Sequence, residues 1–164
     1  MGKEIERKYL VKQEEWQAHK ENISAIGSRY SQGYISTIDN TTVRLRTVGN
    51  QGYLTIKGKT IGFTRSEFEY PIPLQDAESM LQSLCAKPLI EKVRYKIDSG
   101  YLTWEVDEFF GENEGLIIAE VELTTEDQQI DLPSWIDKEV KDEKYFNSSL
   151  VQFPYSQWSE KPYD

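Results

Sequence analysis

The chain has 164 residues, 38% of them hydrophobic and 12% aromatic, which is enough for one domain with a packed core and excludes a disordered chain. Its net charge of −9 makes it a poor general partner for nucleic acid or for an anionic membrane surface. The lone cysteine, Cys85, excludes a disulfide framework or a cysteine-rich zinc site within one chain. The start, MGKEIERKYL, has no apolar signal region, and no stretch approaches transmembrane length, so we expect a cytoplasmic protein.

The first half of the chain alternates apolar and polar residues in short segments, which is the pattern of half-buried strands. One helix, anchored by Trp16, is predicted over residues 12–21. The sequence GNQG at 49–52 is a turn that joins two strands into a hairpin. The predicted strands cover residues 3–11, 28–37, 41–48, 53–59 and 63–73.

The second half begins with a predicted helix over 74–87, in which Ala77, Met80, Leu81 and Leu84 recur at helical spacing. Thr125 and Gln128 resemble a capping box that opens a short helix. Residues 142–153 are expected to be partly helical. The predicted strands of this half cover residues 89–98, 101–110 and 116–125.

These elements predict a mostly β domain with a few helices. Most neighbouring strands are joined as hairpins, which favours a mostly antiparallel sheet or barrel over a doubly wound α/β fold. We expect one domain over residues 1–153, followed by an extended or mobile tail over 154–164. The aromatic side chains of that tail offer an alternative, in which it closes one mouth of a barrel.

Charged side chains recur two residues apart in the predicted strands, with apolar residues between them. In EIERK, Glu4, Glu6 and Lys8 lie on one face, because side chains two apart in a strand share a face at about 7 Å spacing. Later strands repeat this arrangement as doublets or single cations. They carry Arg44 with Arg46, Lys57, Glu67 with Glu69, Lys92 with Arg94, Glu105 with Asp107, and Glu120 with Glu122.

If the strands close into a barrel, the charged face becomes the interior and the apolar face packs outside, under the helices. Unpaired charges in a dry interior are very costly, so the interior must hold water, pair its charges and bind a charged ligand. Lysine and arginine suit a polyanion, since guanidinium groups bind phosphate oxygens at two points. Carboxylates suit Mg²⁺ or Mn²⁺, which would bridge them to phosphate oxygens. Together the two sets indicate metal–polyphosphate chemistry.

A simpler interpretation places each doublet on the solvated face of an ordinary half-buried strand. For any single doublet this is the usual arrangement. Six doublets of consistent chemistry favour the charged interior instead. A solvated face usually mixes Thr, Ser, Gln and Lys, and like charges directly opposed on it are destabilising.

With these residues in order, the chain resembles the CYTH superfamily, also called triphosphate tunnel metalloenzymes. Glu4, Glu6 and Lys8 form that family's ExExK signature, and the remaining doublets follow in the family's order, so the match runs from residue 4 to about residue 150. The segments EIERKYLV, QGYIS and EVKDEKYFN are similar to those of the short bacterial triphosphatases. In the last segment, Lys144 replaces the family's usual arginine and Lys141 its usual threonine.

The resemblance implies an eight-stranded antiparallel β-barrel whose charged tunnel holds a small-molecule triphosphate with Mg²⁺ or Mn²⁺. Family activities are hydrolysis of tripolyphosphate or thiamine triphosphate, removal of an RNA 5′-triphosphate, and class IV adenylate cyclisation of ATP. Phosphate binding is implied for Lys8, Arg44, Arg46, Lys57, Lys92 and Arg94, and metal binding for Glu4, Glu6, Glu120 and Glu122.

Further roles are implied for Tyr34, for Lys92 and for the remaining carboxylates. Tyr34 and Lys92 match a tyrosine and a lysine that are linked to catalysis in the triphosphatase subgroup. Lys92 can act as a base only if its pKa falls well below its usual value of about 10.4, and is otherwise a phosphate clamp. The carboxylates expected to orient the cations, or alternatively to contact metal, are Glu67, Glu69, Glu105 and Asp107.

Four hypotheses therefore follow. The first is a metal-dependent hydrolase that cleaves the terminal phosphate of tripolyphosphate or a related triphosphate. The second is an adenylate cyclase-like lyase, which would require a purine pocket and a base for the ribose hydroxyl. The third is a non-catalytic polyphosphate-binding module, and the fourth is a structural β-domain without anion affinity. The intact set of Glu4, Glu6, Glu120 and Glu122 and the match to the triphosphatase subgroup favour the first.

Overall fold

The computed structural model describes residues 2–163, so Met1 and Asp164, the outer ends of the predicted domain and tail, lie outside the described residues. Antiparallel strands close into a barrel because β1 pairs with β5 along one edge and with β8 along the other. The predicted eight-stranded antiparallel barrel is confirmed. Its strands are β1 (Gly2–Val11), β2 (Ser28–Ile35), β3 (Thr42–Val48), β4 (Gln51–Lys57), β5 (Thr64–Ile72), β6 (Ile90–Ser99), β7 (Leu102–Phe109) and β8 (Ile117–Glu122).

A ninth strand and a turn differ from the sequence prediction. Strand β9 (Ile136–Val140) pairs with the second half of β1, on the edge that β5 leaves free. The predicted short helix after Thr125 is wrong. The Gln128 Oε1 atom accepts hydrogen bonds from the Thr124 backbone N–H (2.7 Å) and hydroxyl (2.9 Å), and this closes a turn instead.

The apolar faces of the strands point outward, and helices cover part of them, as predicted. On the outer faces of β4 and β5, however, Ile56, Phe68 and Tyr70 are exposed. Helix α1 (Gln13–Asn22) buries Trp16 in an aromatic cluster on the outer surface of β1, β7 and β8. Helix α2 (Leu74–Ser83) covers Leu45 of β3. The predicted helix over 74–87 is too long at its C-terminal end, because α2 ends at Ser83 and Leu84 is 58% exposed. Among residues 2–163, no helix is long and apolar enough to cross a membrane.

The C-terminal residues 145–158, here called the closing segment, block one end of the barrel. Four apolar residues, Leu10, Ile90, Phe109 and Ile118, share the inward face with the charged doublets and pack against this segment. The segment includes the short helix α3 (Asn147–Gln152). It contributes Tyr145, Leu150, Val151, Tyr155 and Trp158 to the apolar cluster.

The end of the chain is held against the barrel. The Tyr163 hydroxyl accepts a hydrogen bond from the Val11 backbone N–H and donates one to the Ile117 carbonyl, both at 3.1 Å. The expectation of a loose tail is therefore wrong for the described part of the tail. The barrel interior is closed by apolar packing at the Leu10 end, whereas charged side chains toward the other end are partly exposed.

Candidate active site

A cavity of about 420 Å³ fills the barrel interior, and charged side chains line it. Alternation along each strand places these side chains inside, because the apolar residues between them pack outside. All the predicted site residues line the cavity except Asp107, which is fully buried behind its wall. The structure thus brings together residues spread from Glu4 to Glu122 in the sequence.

At the closed end, Lys92 and Asp107 form a fully buried ion pair. The Lys92 Nζ atom lies 2.8 Å from Asp107 Oδ2, and Arg94 binds the same carboxylate through two nitrogens, at 2.7 and 2.8 Å. Burial and the neighbouring charge of Arg94 lower the pKa of Lys92 to about 7, against the opposing effect of Asp107. Burial raises the pKa of Asp107, but Arg94 and Lys92 lower it below its usual value, so this carboxyl stays ionised.

In the middle of the cavity, Glu6 and Glu120 lie close together beside Lys8. The Lys8 Nζ atom contacts Glu6 Oε1 at 2.9 Å and Glu120 Oε1 at 3.1 Å. Burial and the charge of Glu120 raise the pKa of Glu6 to about 7. Burial raises the pKa of Glu120, but Lys8 and Arg94 hold it well below its usual value. A proton on Glu6 removes the repulsion between these two carboxylates.

Toward the open end, Glu4 is held by two cations. The Lys57 Nζ atom contacts both Glu4 oxygens at 3.0 and 3.1 Å, and Arg65 Nε contacts Glu4 Oε1 at 3.2 Å. Lys57 also lies 3.2 Å from Glu67. Glu122 lines the cavity here with much of its side chain in solvent, and its partial burial together with the charge of Glu4 raises its pKa. The open end therefore carries carboxylates that are only partly neutralised by the chain itself.

The arginine doublet of β3 lies against Glu69 and an aromatic ring. Arg44 Nη2 donates to Glu69 Oε1 at 3.2 Å, and the Arg46 guanidinium stacks over the Tyr30 ring at 5.0 Å. Burial and the charges of Arg44 and Arg94 lower the pKa of Arg46 to about 10. Within residues 2–163, the buried Nε atoms of Arg44 and Arg46 have no hydrogen-bond acceptor. These donors are suited to an anion in the cavity.

Four further residues of the site were not predicted from the sequence: Tyr30, Gln32, Arg65 and Asn147. Gln32 Nε2 donates to the Tyr34 hydroxyl at 2.8 Å and to Asn147 Oδ1 at 3.2 Å, while Lys92 Nζ donates to Asn147 Oδ1 at 3.0 Å. Tyr34 and Lys92 are therefore connected through two amides. The two-residue spacing of Tyr30, Gln32 and Tyr34 was a signal that all three face inward.

The carboxylates of the cavity suit a divalent metal ion in their chemistry. Within residues 2–163, no three carboxylate, imidazole or thiol side chains converge as a preformed metal site, because Lys8 and Lys57 bind these carboxylates. Glu6 and Glu120 nevertheless bring two carboxyl groups to the same lysine, and the charge of Glu120 raises the pKa of Glu6. A hard cation such as Mg²⁺ or Mn²⁺ binds carboxylate oxygens, and two carboxylates that repel each other favour it. Binding would displace the proton from Glu6. The donor set therefore fits such an ion.

Comparison with known proteins agrees with this architecture. A model of the CYTH domain matches residues 2–151. The chain belongs to the CYTH family. An inorganic triphosphatase from Acetivibrio thermocellus is 47% identical over 161 residues, covering 98% of this chain and 100% of that protein. An inorganic triphosphatase from Nitrosomonas europaea is 36% identical over 154 residues, covering 90% of this chain and 96% of that protein.

A solved structure of an inorganic triphosphatase has the same fold. The crystal structure of the inorganic triphosphatase NE1496 superimposes with a TM-score of 0.60 at 28% identity, covering 90% of this chain and 93% of that one. The resemblance inferred from the charged doublets is thus confirmed at the level of family and fold.

Proposed function

We propose that this CYTH protein is an inorganic triphosphatase, a metal-dependent hydrolase that cleaves the terminal phosphate of tripolyphosphate inside the barrel. The observation that carries this proposal is the convergence of cations and carboxylates in one cavity that is closed at one end. Two relatives that are named inorganic triphosphatases support it, since the similarity to each extends over nearly the whole chain. A cytoplasmic location remains a prediction from the sequence.

The cations of the cavity would bind the phosphate chain and stabilise the charge that develops during transfer. Phosphoryl transfer depends mainly on positioning and electrostatics. The unpaired Nε donors of Arg44 and Arg46 support a role in holding phosphate oxygens. Lys92 would act as a fixed cation at the closed end, since it is tied to Asp107 and Asn147. The phosphate-binding set is Lys8, Arg44, Arg46, Lys57, Lys92 and Arg94.

The carboxylates would divide into two groups. Membership of this family implies a metal-dependent reaction, and Mg²⁺ or Mn²⁺ would be held by Glu4, Glu6, Glu120 and Glu122. The ion would supply charge neutralisation and a polarised phosphate or water oxygen. The ion pairs of the remaining carboxylates support a role in orienting the cations. These are Glu67 with Lys57, Glu69 with Arg44, and Glu105 and Asp107 with Arg94.

A phosphate-release assay tests this function directly. Tripolyphosphate, ATP and thiamine triphosphate are each incubated with Mg²⁺ or Mn²⁺, and the nucleotide products are analysed for cyclic AMP. We expect rapid release of phosphate from tripolyphosphate and slow release from the other two. Cyclic AMP as the product would identify a lyase instead, and tight binding of tripolyphosphate without turnover would identify a binding module.

A further inference from the structure

A chain of hydrogen bonds links the Lys92 ammonium to the Tyr34 hydroxyl through the side chains of Gln32 and Asn147, here called the amide bridge. The Lys92–Asn147, Asn147–Gln32 and Gln32–Tyr34 contacts are 3.0, 3.2 and 2.8 Å long. The bridge joins three parts of the fold: Gln32 lies on β2, Lys92 on β6 and Asn147 at the start of α3 in the closing segment.

The Lys92 ammonium, as the first donor, fixes the direction of each hydrogen bond in the series from Lys92 to Tyr34. While Lys92 keeps its proton beside Asp107, its ammonium group donates and cannot accept, so the Asn147 atom that faces it must be the oxygen Oδ1. Gln32 contacts the same oxygen and must therefore present its NH₂ group, Nε2. That group also contacts the Tyr34 hydroxyl, so the tyrosine oxygen is the acceptor in this contact. The hydroxyl hydrogen of Tyr34 must then point to a different acceptor.

The position of Tyr34 shows where that acceptor lies. Tyr34 lines the cavity, whereas Gln32 has no exposed surface and lies behind the cavity wall. Burial raises the pKa of Tyr34, although the charge of Arg44 opposes the rise, so its hydroxyl keeps the hydrogen at neutral pH. Among the hydrogen bonds of residues 2–163, none is donated by the Tyr34 hydroxyl, and the cavity that Tyr34 lines is where an anionic ligand would offer an acceptor.

We propose that Gln32 and Asn147 are positioning residues that turn the hydroxyl hydrogen of Tyr34 toward an oxygen of the bound triphosphate. This inference rests on the proposed function, since it names the donor that the phosphate chain meets at the closed end. Tyr34 is the residue that contacts substrate, and Gln32 acts through it without touching substrate. The closing segment thereby contributes Asn147 to the arrangement of the site.

A double-mutant cycle on Gln32 and Tyr34 tests the proposal. Gln32→Met keeps the side-chain length and removes the amide, and Tyr34→Phe removes only the hydroxyl. We expect Gln32→Met to lower kcat about tenfold with KM nearly unchanged, since it loosens one hydrogen bond. Tyr34→Phe should lower kcat about 100-fold, since it removes a donor to developing charge. In the Tyr34→Phe background, Gln32→Met should cost less than about threefold.

The same four proteins are compared by calorimetric titration with tripolyphosphate without added metal ion, which measures the coupling without turnover. We expect Gln32→Met to weaken binding in the wild-type background and not in Tyr34→Phe. Gln13→Met is the matched control, because Gln13 is a surface amide that donates to Gly115 outside the cavity, and it should match the wild type.

The outcomes separate this inference from the proposed function. Equal losses from Gln32→Met in both backgrounds would show a purely structural role for Gln32 and overturn the positioning assignment while leaving the triphosphatase function intact. Coupled binding without any hydrolysis by the wild type would support the positioning residues and overturn the triphosphatase function. Failure of the wild type to bind or hydrolyse tripolyphosphate would overturn both.

Discussion

The two ends of the barrel interior carry the same kinds of charge in different surroundings. At the closed end, Asp107 has no exposed surface and is bound by both Lys92 and Arg94. Two residues earlier on the same strand, Glu105 is 32% exposed and contacts Arg94 at 3.3 Å. The apolar closing segment explains the difference, because it excludes water from one end only. The closed end therefore fixes geometry, whereas the open end leaves carboxylates available to a metal ion.

The largest expected effect lies between the two ends, at Glu6. We expect Glu6→Gln to lower turnover of tripolyphosphate by about 1,000-fold, because it removes a carboxylate that would hold the metal ion. The protein should stay folded, since a neutral Glu6 is already favoured beside Glu120. Phosphate release and circular dichroism measure the two parts of this prediction.

The matched control for that variant is Glu108→Gln on the outer face of β7. Glu108 binds Trp16 and Lys20 of α1 and lies outside the cavity. Turnover should stay within about twofold of wild type, in line with a change remote from the site. Full activity in Glu6→Gln would remove Glu6 from the metal site.

Asp107→Asn and Glu105→Gln test whether the two ends of the barrel contribute differently to the free energy of unfolding. We expect Asp107→Asn to lower the free energy of unfolding by about 3–5 kcal/mol, because it leaves Lys92 and Arg94 buried without their counter-charge. Glu105→Gln should cost less than about 1 kcal/mol, as for exposed ion pairs. Urea denaturation measures both, and equal losses for the two variants would contradict the proposed difference in solvation.

Metal affinity should depend on pH through Glu6. Burial and Glu120 raise the pKa of Glu6 to about 7, so below that pH a metal ion must displace a proton. Apparent Mn²⁺ affinity should fall about tenfold for each pH unit below 7. The raised pKa also means that the protonated form stabilises the fold at low pH, and that this contribution is lost as pH rises through 7.

Titration calorimetry with Mn²⁺ at several pH values measures this dependence, and Glu6→Gln is the control because it cannot titrate. An affinity that does not change between pH 5 and pH 7, to within about twofold, would contradict the assignment of Glu6 as a metal ligand that must lose a proton.

A second pH effect is expected from Lys92 when metal ion is saturating. Burial and Arg94 lower the pKa of Lys92 to about 7, so the ammonium loses its proton as pH rises above that value. If Lys92 acts as a cation, kcat/KM should fall by up to about tenfold per pH unit above 7. Lys92→Met should lack this decline and show lower activity throughout. A rise in kcat/KM through pH 7 would instead identify Lys92 as a base.

The charged doublets made most of the barrel and its lining predictable. Residues such as Arg44 and Arg46 share a face by strand geometry alone. Carboxylate doublets on the other strands indicated that the charged faces of all the strands turn inward and pair with each other. Strand β9 was missed because its sequence, IDKEV, is short and mostly charged, so only its pairing with β1 defines it. The prediction of a helix after Thr125 was wrong because the Gln128 side chain accepts a hydrogen bond from the Thr124 backbone and closes a turn, so it does not cap a helix.

The neutral residues of the site were the part that the sequence did not reveal. Gln32 and Asn147 are 115 positions apart, and amides of this kind are usually found on protein surfaces. Their contact depends on how the closing segment docks onto the barrel, which involves apolar packing of Tyr145 and Trp158 rather than any local pattern.

The most direct test of the charged interior as the substrate site is a crystal structure of Glu6→Gln grown with tripolyphosphate, since slow turnover should preserve the ligand. We predict a phosphate chain inside the barrel in contact with Arg44, Lys57 and Arg94, and within hydrogen-bonding distance of Tyr34. Phosphate bound only on the outer surface, with water alone in the barrel, would contradict the account.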